Sequence, residues 1–152
     1  MVEPAWTGQA LPDDVPGDYL RSCIQTALTD NTALKLSMSF TLNYFLLGVA
    51  RRGNPHRLKI FLEEGFPLNF QHHETGASIL HLLAAGGARQ ALREILKSDT
   101  IDFLLRDKQG RLASELAYLY GRDVAMARLL GIKERKQAVE KRIKLTRRPY
   151  SD

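Results

Sequence analysis

Apolar residues recur along this chain at spacings that predict helices. Asp18 precedes Tyr19, Leu20, Cys23, Ile24, Ala27 and Leu28, whose i, i+1, i+4, i+5, i+8, i+9 pattern draws one stripe on a helix from about 18 to 29, with Asp18 as its cap. The next apolar run, Leu34, Leu36, Met38, Phe40 and Leu42, alternates as a strand would. No second such run exists to pair with it, so this segment is expected as a strand or as an irregular lead-in. Upstream, residues 1 to 17 hold Pro4, Pro12, Pro16, Gly8, Gly17 and an Asp pair, a composition that opposes helix and strand and predicts a flexible arm.

From residue 44 onward the pattern repeats every 34 positions. Gly53, Gly87 and Gly121 fall in one column, Leu62, Leu96 and Leu130 in another, and Phe61, Ile95 and Leu129 in a third. Leu58, Leu92 and Met126 form a further apolar column, and the turn glycines Gly76 and Gly110 are also 34 apart. Within one period the order is turn, helix, tight turn, helix, loop. Ser78 is placed to cap a helix through Leu80, Leu82 and Leu83 that Gly86-Gly87 ends, and Asn54-Pro55 opens the second helix of the first copy. Each helix pair is too small to bury its own stripe, so stacking on the neighbouring pair has to stabilise it.

Composition narrows the class. The chain has 152 residues, 44% of them hydrophobic, enough for one domain with a core. A single cysteine, Cys23, rules out an internal disulfide, and the simplest role for it is a small core residue. No run reaches the roughly 18 apolar residues of a membrane span. The N-terminal residues lack the basic and apolar regions of a cleaved signal, so a soluble, cytoplasmic protein is expected. The formal net charge is +5, and residues 133 to 152 alone supply it, with eight Lys or Arg against three acids (8 − 3 = +5).

The segment from 73 to 99, HETGASILHLLAAGGARQALREILKSD, resembles an ankyrin repeat. Gly76, Ser78, Leu80, His81, Leu82, Ala84 and Gly87 stand where that family has its turn glycine, its Thr-Pro-Leu-His, its Leu-Ala-Ala and the glycine before the second helix. Residues 107 to 130 are similar and keep an Asp-x-x-Gly turn at Asp107 and Gly110, and residues 43 to 69 are similar in their second helix. Departures occur: Ile79 and Ala113 replace the family's proline, Leu112 its Thr, Glu115 its His, and Leu42 a turn glycine. The resemblance, over about 44 to 130, implies an all-α, ankyrin-like solenoid of about three helix-turn-helix repeats with capping helices at both ends. The expected organisation is an arm over 1 to 17, a capping helix and lead-in over 18 to 42, repeats over 43 to 131, and a basic capping helix and tail over 132 to 152.

Candidate chemistry is sparse. Ser78 and His81 are three apart, but a side chain at the third helical position normally reaches back to the cap, and Glu115 holds the same place in the next copy. His72, His73 and Glu74 have no further His or Cys at ligand spacing. No phosphate-loop motif is present and no carboxylates form an acid–base pair. No residue is therefore assigned a catalytic, cofactor-binding or metal-ligating role, and the chain is expected not to be an enzyme.

In such an array packing constrains the core, leaving turn tips and the exposed ends of the first helices free to serve binding, and the resemblance implies the same surface. The tips place His73, Glu74 and Thr75 in one copy and Lys108, Gln109 and Arg111 in the next. Arg51 and Arg52, then Leu119 and Tyr120, precede the glycine column. Arg and Tyr make strong interface anchors. The expected function is thus protein–protein interaction, as adaptor, inhibitor or antitoxin-like partner. The alternative is a nucleic-acid or anionic-membrane binder acting through residues 133 to 152. Against that, Ile132, Val139 and Ile143 are spaced to dock a C-terminal helix on the last repeat.

Overall fold

The structure, a computed structural model, describes residues 11, 12, 14–29 and 33–145, the side chains of 33–36 excepted. The described residues form seven α-helices and no strand: α1 (Gly17–Thr29), α2 (Ala33–Arg52), α3 (Pro55–Glu63), α4 (Ile79–Ala85), α5 (Arg89–Ile95), α6 (Ala113–Leu119) and α7 (Val124–Glu140). The fold is all-α. Most of the arm expected over 1 to 17 lies outside the described residues, but its end is anchored. Val15 is buried and Leu11 packs against the core.

The alternating run at 34 to 42 is neither strand nor irregular. Met38, Leu42, Phe45, Leu46, Val49 and Ala50 are buried at i, i+4, i+7, i+8, i+11 and i+12, a helical stripe that runs through 42 and 43 without a break. The expected boundary at 42/43 therefore falls inside α2. Short alternating runs satisfy both periods, and only the continuation to Ala50 separates them.

The starts of α3, α4 and α7 follow the side chains at their caps. Asn54 Oδ1 accepts from the His56 and Arg57 N–H groups, with Pro55 at the first helical position. Asp123 accepts from Met126 N–H at the start of α7. The helices pair as α2 with α3, α4 with α5, and α6 with α7; α4 touches both α2 and α6, and α3 lies against α5. The helix expected over 18 to 29 is present as α1 and packs on α2 and α3. Its Arg21 is bonded to Glu63 and Glu64 at the end of α3.

Successive pairs are joined by residues one period apart in sequence. Arg89 Nη2 donates to Asp123 at 2.8 Å, 34 positions on, and Gln71 Nε2 donates to the Arg106 carbonyl, 35 positions on. Gln137 Oε1 accepts from Phe103 N–H, again 34 positions away. The glycine column works differently in its last member. Gly53 and Gly87 have positive φ, but beyond α6 the left-handed residue is Arg122 (φ 48°) and not Gly121. Gly121 is required by proximity: a Cβ there would lie 2.3 Å from the Ala84 carbonyl oxygen.

α7 departs from the repeat only in part: it starts at Val124, one position later than Pro55 and Arg89 would place it, while Met126 keeps the buried place of Leu58 and Leu92. Leu130 is buried and Leu129 exposed, whereas the third copy's column put Leu129 with the fully buried Phe61 and Ile95. The expected C-terminal capping helix is likewise not separate, because α7 runs continuously across 131/132. Nor do its aliphatic residues dock. Ile132 and Val139 are 55% and 77% exposed and Ile143 is exposed too, while the inward face carries Met126, Leu130, Glu134 and Ala138.

Candidate partner-binding surface

The turn tips are built by their own polar groups. In the first, His72 N–H donates to the Ala77 carbonyl at 2.9 Å, Gly76 N–H donates to the His72 carbonyl, and Thr75 Oγ1 accepts from Ala77 N–H. Gly76 takes φ +73°, and a Cβ on it would meet Lys108 N at 2.6 Å, so the position excludes side chains twice over. In the second tip Asp107 is the organiser. Its Oδ1 accepts from the Gln109 and Arg111 N–H groups, and its Oδ2 accepts from Arg111 Nε at 2.8 Å. The tips are joined by Lys108 N–H donating to the Thr75 carbonyl at 3.0 Å.

Behind the tips, Ser78 and His81 form a reciprocal cap. Ser78 N–H donates to His81 Nδ1 at 3.2 Å, which leaves the ring proton on Nε2, and Nε2 lies 2.9 Å from the Arg111 carbonyl of the next copy. Ser78 Oγ is 2.8 Å from Nδ1 and also accepts from His81 N–H. Burial holds the imidazole below its ordinary pKa, more strongly than the Arg111 carbonyl raises it, and so favours the neutral ring this network needs. Both residues are almost fully buried, so the pair faces no substrate. In the following copy the Glu115 carboxylate accepts from Leu112 N–H, doing at that helix start what His81 does at its own.

His72 and His73 stack with ring centroids 4.9 Å apart, and His73 is hydrogen-bonded to the Tyr44 hydroxyl. Among the described residues no group of three or more His, Cys, Asp or Glu is placed to hold a metal ion. A groove of about 620 Å³ opens between the 65–69 and 97–100 loops. Lys59 pairs with Glu63 and Lys97 with Glu94 along it, and no nucleophile–base pair lines it.

The residues singled out in the sequence fall into two groups. His73, Glu74, Thr75, Lys108 and Gln109 are exposed at the adjoining tips. Arg51 and Arg52 are exposed at the end of α2, and Leu119 and Tyr120 at the end of α6. Arg111 bridges the groups, because its guanidinium is held by Asp107, lies 3.1 Å from the Tyr120 hydroxyl and sits 5.6 Å from that ring's centroid. It is half-buried and closes its own turn, while Tyr120 remains 60% exposed. Two aromatic residues were missed. Phe40, 60% exposed, packs on Tyr44 at 4.8 Å, and Tyr44 meets Phe70, His72 and His73 edge-on. Their i, i+4 spacing on α2 is hidden in the sequence by the strand-like alternation over 34 to 42.

Among the described residues no helix is long and apolar enough to cross a membrane. In comparisons with known proteins, no family model and no curated protein matches the chain.

Proposed function

We propose that this chain is an ankyrin-like helical solenoid of three repeats that binds a partner protein across its turn tips and the ends of α2, α4 and α6. One observation carries the reading. The polar groups at the turns and helix starts, among them Ser78, His81, Asp107, Glu115 and Asp123, are engaged in caps, turns and links between helix pairs, and exposed aromatic and charged side chains are left beside them. Aromatic and arginine side chains are the residue types that dominate interface energies. The alignment of α2, α4 and α6 and the bond between neighbouring tips support the repeat assignment. On this reading the chain works by occupancy and not by catalysis. A buried, unpaired Cys23 with a thiol pKa raised by burial suits the cytoplasm.

The test is a triple variant, Arg51→Glu, Lys108→Glu and Tyr120→Ala, at exposed positions. Affinity capture from the native cell extract identifies a partner, which is then titrated in purified form. The variant should bind at least about tenfold more weakly, a loss of about 1.4 kcal/mol or more, with unchanged helicity. Full affinity in the variant would place the interface elsewhere.

A further inference from the structure

α7 turns Met126, Leu130, Glu134 and Ala138 inward and packs on α6. Its outward face carries apolar side chains that no described residue covers. Ala125, Leu129, Ile132 and Val139 are all exposed, and with Lys136 they step along the helix by 4, 3, 4 and 3 residues. That is the seam spacing of two helices packed side by side, in which each seam residue inserts between four residues of its partner. Arg128 and Arg135 lie seven apart, each just before a seam residue, so both guanidiniums stand on one flank. Lys133 and Glu140 line the other. Among the described residues none of Arg128, Lys133, Arg135 and Lys136 forms an ion pair.

From this we infer that the outer face of α7 is a docking strip for an acidic amphipathic helix of a partner protein. That helix carries aliphatic residues along its own seam, Glu or Asp on its flanks, and an acid opposite Lys136. Charge selects this occupant. Two copies of α7 in parallel would set Lys136 against Lys136, and in antiparallel would set the arginine flanks against each other. A lipid surface has no use for a seven-residue register, and the strip lacks the aromatic residues that seat helices in an interface. Nucleic acid would use the cations and leave Leu129, Ile132 and Val139 exposed. The strip is separate from the tips and inner-helix ends, and its occupancy does not depend on theirs.

The probes are three labelled synthetic peptides of about three heptads. One has Leu at the seam, Glu on both flanks and Asp opposite Lys136; the second has the same composition with its order scrambled; the third has Lys on the flanks. Fluorescence anisotropy against the full chain should show the ordered acidic peptide bound at least about tenfold more tightly than the scrambled one. Ile132→Glu should lose at least about tenfold, and Arg128→Glu with Arg135→Glu should shift preference to the Lys-flanked peptide. The Arg51, Lys108 and Tyr120 triple variant should bind the acidic peptide as the unaltered chain does, which separates this inference from the preceding proposal. Equal binding of ordered and scrambled peptides, no binding, or indifference to Ile132→Glu overturns it. So does self-association in sedimentation that Ile132→Glu abolishes, since the occupant is then a second copy. Tighter retention on phosphatidylserine vesicles or on DNA or RNA overturns it too, in favour of those anions.

Discussion

His81 shows how one side chain serves both its own helix and the next. Its Nδ1 accepts at the start of α4 while Nε2 reaches the Arg111 carbonyl 30 positions on, so the ring must be neutral to do both. In the unfolded chain the imidazole takes a proton near its ordinary value of about 6.5, whereas in the fold burial delays protonation to lower pH. The unfolded state then binds more protons between those two values, and stability falls as pH drops through that window. His81→Ala should cost about 2 kcal/mol, by stranding the Ser78 N–H and the Arg111 carbonyl, and should flatten this slope. Urea denaturation at about pH 7.5 and about pH 5 measures both effects; an undiminished slope in the variant would assign it to other groups. The local half of this role was legible, because Ser and His three apart fit a reciprocal cap. The distant half was not, since no local pattern says which carbonyl Nε2 will meet.

At the scale of one element, α7 is the clearest departure from its own sequence. Its aliphatic residues at 132 and 139 suggest an inward face, yet the inward positions include Glu134, only 2% exposed. The carboxylate is kept there by Ser114, whose N–H and Oγ–H donate to its two oxygens at 3.1 and 2.6 Å. Burial raises its pKa, outweighing the Ser114 bonds that lower it. A raised value in the fold means that its stabilising contribution is complete below the ordinary Glu pKa and is lost as pH rises through the folded-state value. Glu134→Gln keeps an acceptor for Ser114 without a buried charge, and should raise stability at neutral pH by about 1 kcal/mol while changing little below about pH 4. Thermal melts across pH are the check, and a destabilised variant at neutral pH would mean that the Ser114 bonds need the charge. The sequence misled here because Leu129 and Leu130 are adjacent, so one residue of register decides which is buried.

At the scale of the whole molecule, contacts between helix pairs matter more than any pair alone. Gly121 sits where α6 ends, against the Ala84 and Ala117 carbonyl oxygens, with 2.3 and 2.9 Å of room for a Cβ. Gly121→Ala must separate α6 from α4, at a cost of about 2 to 3 kcal/mol. Because α7 packs on α6, both should loosen together while α1 to α4 hold. Native-state hydrogen exchange reads this directly: amides of α6 and α7 should exchange faster and those of α2 should not. Uniform acceleration throughout would instead describe one cooperative unit.

The sequence by itself determined the helical class, the 34-residue period, the caps at Asn54 and Ser78 and the tip positions, because caps and turns depend on residues within a turn or two of one another and the period shows in the order of residues alone; Asp18, expected as a cap, lies instead inside the first turn of α1. Tertiary structure alone decided that 34 to 42 continues into α2, that Phe40 and Tyr44 join the histidine tip, that Arg111 closes its own turn, and that α7 presents its aliphatic face outward. Those outcomes depend on which surfaces meet. The later helix start beyond α6, invisible to any local pattern, goes with burial of Leu130 in place of Leu129, since each residue turns a helix by about 100°.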